Sequence, residues 1–87
     1  MNYFLATFHS QTQTYEFFRL LSSYGIAASV VQTPRQAQVS CGLSVKIPDR
    51  NSLEQARFIL SRRQFSSFTA FFAVTDFGGG NKQISRI

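Results

Sequence analysis

Two stretches of this chain carry apolar residues at helical spacing, and each is bracketed by short β-type runs. That alternation narrows the fold more than any other feature. Residues 3–8, Tyr-Phe-Leu-Ala-Thr-Phe, are an aromatic-rich apolar run that predicts a first strand. Ser10 followed by Gln13 is a capping-box pattern. Phe17, Leu20, Leu21 and Tyr24 then recur at i, i+3, i+4 and i+7, one stripe of an amphipathic helix that Gly25 should end, so the first helix covers residues 11–24. Ile26 to Gln32 is β-branched and apolar, a second strand broken by Thr33-Pro34. Residues 35–40 are polar and show no clear period. Leu43, Val45 and Ile47 alternate with Ser44 and Lys46, a half-buried third strand. Asn51 with Glu54 reads as a second cap, before a helix with an apolar stripe of Leu53, Ala56, Ile59 and Leu60. Arg62 and Arg63 fall in its last turn, where cations suit the helix dipole. Phe68 to Thr75 is a fourth strand.

The order β-α-β-β-α-β, with right-handed crossovers, predicts an α+β ferredoxin-like sandwich. Its single four-stranded sheet would run 4-1-3-2 with two helices on one face. The alternative is another two-layer α+β arrangement in which strand four pairs differently. Residues 1–77 are expected to form one domain. Residues 78–87, with Gly78-Gly79-Gly80 and a polar basic end, read as a flexible tail.

A chain of 87 residues is one small domain, too short for a deep cleft between two. Its 44% hydrophobic and 15% charged content excludes disorder of the whole chain. No apolar run would span a bilayer and no leader pattern follows Met1, so a cytoplasmic protein is expected. One cysteine cannot make an internal disulfide, and small extracellular domains usually carry several. The net charge of +5 suits an anionic partner or a solvated basic surface, and composition leaves both open.

The expected topology brings His9, Ser10, Arg35, Cys41, Gly42 and the Arg62-Arg63 pair to one end of the sheet. Cys41 stands at the mouth of the central third strand, before a glycine that permits close backbone approach. A thiol works as thiolate, and a helix N-terminus, an arginine or a protonated histidine would lower its pKa below the free value of about 8.5. Free cysteines are also often inert small hydrophobes, so position alone leaves the role of Cys41 open. His9 reads first as a hydrogen-bonded spacer, and Arg35 as an anion ligand or a solvated cation. One Cys and one His cannot build a four-ligand zinc site, and no cofactor motif is present. Asp49 and Asp76 fall toward the opposite edge, which leaves no persuasive triad. The glycine run lacks the following Lys-Ser/Thr of a phosphate loop.

At Thr7-Phe8-His9-Ser10, Gly25-Ile26, Thr33-Pro34-Arg35 and Ser40-Cys41-Gly42-Leu43 the chain resembles the selenium/sulfur carrier protein-like family, over roughly residues 3–75. The spacing from Pro-Arg to Cys-Gly fits as well. The resemblance implies a carrier, not an enzyme in the strict sense. Cys41 would hold sulfur or selenium as a persulfide or its selenium analogue. Pro34, Arg35, Ser40 and Gly42 would be its loop partners, with His9 and Ser10 in support. Its partners would be a donor and an acceptor protein. The aromatic load and the basic tail depart from the family pattern.

The contrasting reading is a non-catalytic binding or assembly module, either a regulatory subunit or an RNA-binding domain. RNA-recognition sheets stack bases on aromatics of strands one and three. Here strand three, Leu43-Ser44-Val45-Lys46-Ile47, has none, which counts against nucleic acid. Side chains alternate between sheet faces, so one of Tyr3 and Phe4, and one of Phe71 and Phe72, must point away from the helices. An uncovered face with such aromatics predicts a homodimer, unless the tail folds back over it with Ile84 and Ile87.

Overall fold

Strand pairing in the computed structural model, which describes residues 1–37 and 42–87, organises the chain around one antiparallel sheet. Its strands are β1 (Asn2–Phe8), β2 (Ser29–Gln32), β3 (Leu43–Ile47), β4 (Phe68–Gly78) and β5 (Asn81–Arg86). The helices are α1 (Gln11–Ser23) and α2 (Arg50–Arg62), and a single 3-10 turn covers Arg35–Ala37. The spatial order is β2-β3-β1-β4-β5, so the expected 4-1-3-2 arrangement stands with one strand added beyond β4. β1 pairs with β3 and β4 antiparallel on its two sides.

The sheet therefore has five strands where four were expected, and residues 81–86 pair with β4 instead of forming a tail. Gly79 and Gly80 occupy a two-residue turn with φ of +60° and +84°, and Gly78 precedes it at +85°. Positive φ at both turn residues is the geometry whose twist matches a hairpin, and glycine adopts it without steric cost.

Capping explains the helix ends. The Ser10 hydroxyl accepts from the Gln13 amide at 3.2 Å and starts α1 as expected. At its other end Gly25 has φ +82°, the Gly25 amide donates to Ser22 O, and the Ile26 amide donates to Leu21 O. That pair of hydrogen bonds is the Schellman arrangement, and Leu21 and Ile26 are both buried beside it. Ile26 thus belongs to the helix end, and β2 begins only at Ser29. The second cap differs from expectation: Asp49, not Asn51, accepts from the Ser52 amide, at 2.7 Å.

Phe4, Ala6, Phe8, Val45, Ile47 and Phe71 meet Phe17, Leu21, Leu53, Ala56 and Ile59 in the main core, with Leu20 and Leu60 half-buried at its margin. Phe8 is fully buried at the centre of an aromatic cluster, 5.3 Å from Phe17, 5.7 Å from Phe65 and 5.5 Å from Phe68 between ring centroids. This cluster absorbs much of the phenylalanine content.

The sheet face away from the helices is also covered. Tyr3, Leu5 and Val74 form a second buried cluster joined by Val31, Phe72 and Ile84. Leu5, Thr7 and Ser44 on this face are 0% exposed. The 3-10 turn packs against β5, Ala37 is buried, and Pro34 borders a cavity together with Tyr3 and Leu5. The segment after β2 therefore crosses beneath the sheet. The dimer expected through an uncovered face loses its premise.

Candidate functional site

The β2–β3 connection leaves the sheet at Gln32, which pairs with Leu43, and its base is tied on both sides. The Thr33 amide donates to the Gly42 carbonyl at 2.9 Å. The Thr33 and Ser44 hydroxyls lie 2.6 Å apart, and Ser44 is fully buried. Gly42 has φ +73°, a backbone conformation in which any Cβ is strained although no atom lies within reach of one. The two described ends of this connection, Thr33 and Gly42, are thus held together. Sequence reasoning missed this lock, although Thr33 before a proline and Ser44 on the polar side of an alternating strand were its signals.

Ser40 and Cys41 lie outside the described residues. Gly42 does not, and the register Thr7↔Ser44 sets it beside the end of β1 where His9 and Ser10 follow. His9 is exposed, and its amide donates to Ser67 O at 2.8 Å. The Gln13 side chain joins this end to the chain entering β4: its Oε1 accepts from the Ser67 amide at 2.9 Å and from Ser67 Oγ at 2.7 Å. The first turn of α1 has no acidic side chain, and its neutral Ser10 cap takes only the Gln13 amide, so no carboxylate offsets the positive end of the helix dipole. The end of β1, the start of α1 and Gly42 thus share one end of the sheet, with the last turn of α2 leading back toward it.

Arg35 departs from the expected convergence. It is exposed on the 3-10 turn, which packs against β5. β5 is three strand spacings from β3, about 14 Å across the sheet. The segment carrying Arg35 runs across the second face instead of staying at the strand-end rim. Pro34 starts that crossing. It borders a cavity of about 220 Å³ with Tyr3, Leu5, Val31, Lys46 and Lys82. Lys46 Nζ stands 4.4 Å from the centre of the Tyr3 ring, a cation–π contact that fixes a positive charge there.

The chain matches the family model described as "Putative Se/S carrier protein-like" over residues 3–66. It belongs to that family. The Se/S carrier-like match takes in β1 through α2, with Pro34, Arg35, Ser40, Cys41 and Gly42 inside it, and stops before β4. No curated protein and no solved structure matches the chain. No helix among the described residues is long and apolar enough to cross a membrane.

Proposed function

We propose that this protein is a sulfur or selenium carrier with Cys41 as the carrier thiol. Membership of the Se/S carrier-like family carries the reading, because Cys41 is the one cysteine of the chain and lies within the matched residues. In this reading the Cys41 thiolate attacks the outer sulfur of a donor persulfide. The donor's S–S bond breaks, a new S–S bond forms at Cys41, and the donor leaves as its thiolate with no net redox change. Delivery runs the same exchange in reverse: an acceptor nucleophile takes the outer atom and Cys41 departs as thiolate. Selenium would travel as the corresponding S–Se species.

The supporting roles follow from chemistry. Gly42, next to Cys41 in sequence, is tied through its carbonyl to the Thr33 amide after β2, so the carrier thiol would follow from a fixed strand end. The α1 N-terminus, with His9 and Ser10, favours an anion at that end. Arg35 and Pro34, farther along the crossing segment, would meet the donor or acceptor. Such a carrier is an accessory protein and not a catalyst of its own reaction, and it suits the reducing cytoplasm. No observation favours the RNA-binding alternative, since the sheet face such domains use is buried here.

The test is loading. Protein treated with a low-molecular-weight persulfide and analysed by intact mass should gain one sulfur atom, and Cys41→Ala should gain none. Failure of the native thiol to load would refute the reading.

A further inference from the structure

Only one side of α2 meets the core. Leu53, Ala56 and Ile59 are buried there, with Leu60 half-buried beside them. The opposite side is a stripe of Asn51, Glu54, Gln55, Phe58, Ser61 and Arg62, all exposed. With about 100° between successive residues, Glu54 and Phe58 lie farthest from the core. Phe58 is 63% exposed in the interior of the helix, where phenylalanine is a weaker helix former than alanine and gains no burial in return. Tyr24, at the end of α1, is exposed to the same degree. Both rings border one open cavity of about 450 Å³ at the seam between the helices, along with Asn51, Glu54 and Gln55. Large aromatics gathered in this way mark an interaction surface, whereas single scattered ones do not.

The charges on the stripe are opposite and evenly placed about Phe58. Glu54 lies four residues before it and Arg62 four after, each about 6 Å away along the axis. Arg62 makes no ion pair among the described residues, and its guanidinium carbon rests 5.6 Å over the Phe58 ring. Glu54 touches Arg57 only through Oε1 at 3.8 Å, and its side chain is still 60% exposed. Such a contact is worth little in water and leaves the carboxylate available. Asn51, Gln55 and Ser61 are uncharged, so the stripe is neutral although the chain carries +5.

A stripe of this kind complements itself. When two copies of α2 pack antiparallel about a twofold axis at Phe58, four residues before that position on one helix faces four residues after it on the other. Glu54 of each copy then faces Arg62 of the other, and the symmetry makes the pair twice. Parallel packing would instead set glutamate against glutamate and arginine against arginine. The twofold axis also keeps the α1 sides of both copies together. Arg62 is seven residues after Gln55, on the side of α2 that borders the cavity, so Arg62 of the second copy falls over that cavity. Its apolar stem would cover the aromatic rim while its head meets the Glu54 carboxylate.

We propose that two copies of this chain associate through the exposed side of α2, antiparallel, with Phe58 at the twofold axis and a Glu54–Arg62 pair on each side of it. This surface is the helix layer, away from the sheet face that Tyr3, Leu5 and Val74 already fill. Two short helix faces make a small interface, so the dimer is weak and depends on concentration. The proposal does not rest on the carrier reading.

The experiment is sedimentation equilibrium of the full chain at rising concentration, with reductant present so that Cys41 forms no disulfide between copies. Wild type should pass from monomer to dimer. Phe58→Ala should stay monomeric while its circular dichroism remains that of the folded protein. Glu54→Arg alone and Arg62→Glu alone should each weaken association at least about tenfold, because each turns two attractive contacts into two repulsive ones. An equimolar mixture of those two variants should form a heterodimer, since both arginines of one copy then face both glutamates of the other. Lys82→Glu, equal to Arg62→Glu in charge change but on β5, should associate like wild type. A wild type that is monomeric at every concentration, association unchanged in the stripe variants, equal weakening by Lys82→Glu, or a mixture that stays monomeric would each overturn the proposal. Cys41→Ala should associate like wild type, so dimer formation and sulfur loading succeed or fail independently.

Discussion

The Thr33 and Ser44 hydroxyls lie 2.6 Å apart at the base of the β2–β3 excursion, and Ser44 has no solvent exposure with which to replace that contact. Replacing Thr33 by Val removes the partner and strands a buried hydroxyl, which costs about 1–3 kcal/mol. The double variant Thr33→Val with Ser44→Ala should recover part of that loss, because neither polar group is then left unmet. Denaturant unfolding of the two singles and the double measures the coupling. Strict additivity would mean that the pair does not hold the base closed.

Phe8 should be the costliest single truncation in the main core. It is fully buried and contacts three other rings, so Phe8→Ala should lose about 3–5 kcal/mol. In a domain this small that is a large share of the total stability. Phe8→Leu should lose much less. Thermal unfolding of both variants checks the ranking, and a mild effect of alanine would place the core elsewhere.

Asp49→Ala should cost about 1 kcal/mol, the usual value of a lost N-cap. Asn51→Ala should be nearly neutral, because Asn51 is exposed and the α2 cap bond belongs to Asp49. Helical circular dichroism with urea titration separates the two. The reverse order would move the start of α2.

Much of the framework is legible in the residues, and the exceptions have physical reasons. Ser10, Gly25 and the stripe of Phe17, Leu20 and Leu21 mark α1 because caps and periodicity are local signals. Asp49 was missed because Asn51 two residues later satisfies the same pattern. β5 was missed because Asn81–Arg86 is an edge strand with one apolar residue, Ile84, and its turn is a glycine run that also suits a linker. Cover of the second face by the C-terminal residues was open as an alternative, and Ile84 does pack there; the share of the 3-10 turn was not legible, because Arg35-Gln36-Ala37 has no period and only the fold shows Ala37 buried. At the site, the order of elements placed Gly42 beside the end of β1, whereas the departure of Arg35 toward β5 depends on tertiary packing.

Hydrogen exchange distinguishes strand from tail at the C-terminal end. Alternate amides of Asn81–Arg86 should be protected by bonds to β4, and the Ile87 amide by its 3.0 Å bond to Phe71 O. Uniform exchange at unfolded-chain rates across these residues would remove β5 from the sheet.

The carrier reading stands or falls on Cys41. The most direct measurement is the intact mass of the folded protein after exposure to a persulfide donor, with the added atom located by peptide mapping and then chased with a thiol acceptor. The account predicts a gain of one sulfur atom on Cys41, its loss to the acceptor, and no gain in Cys41→Ala. A thiol that stays unmodified while the protein is folded, and reacts only after unfolding, would contradict it.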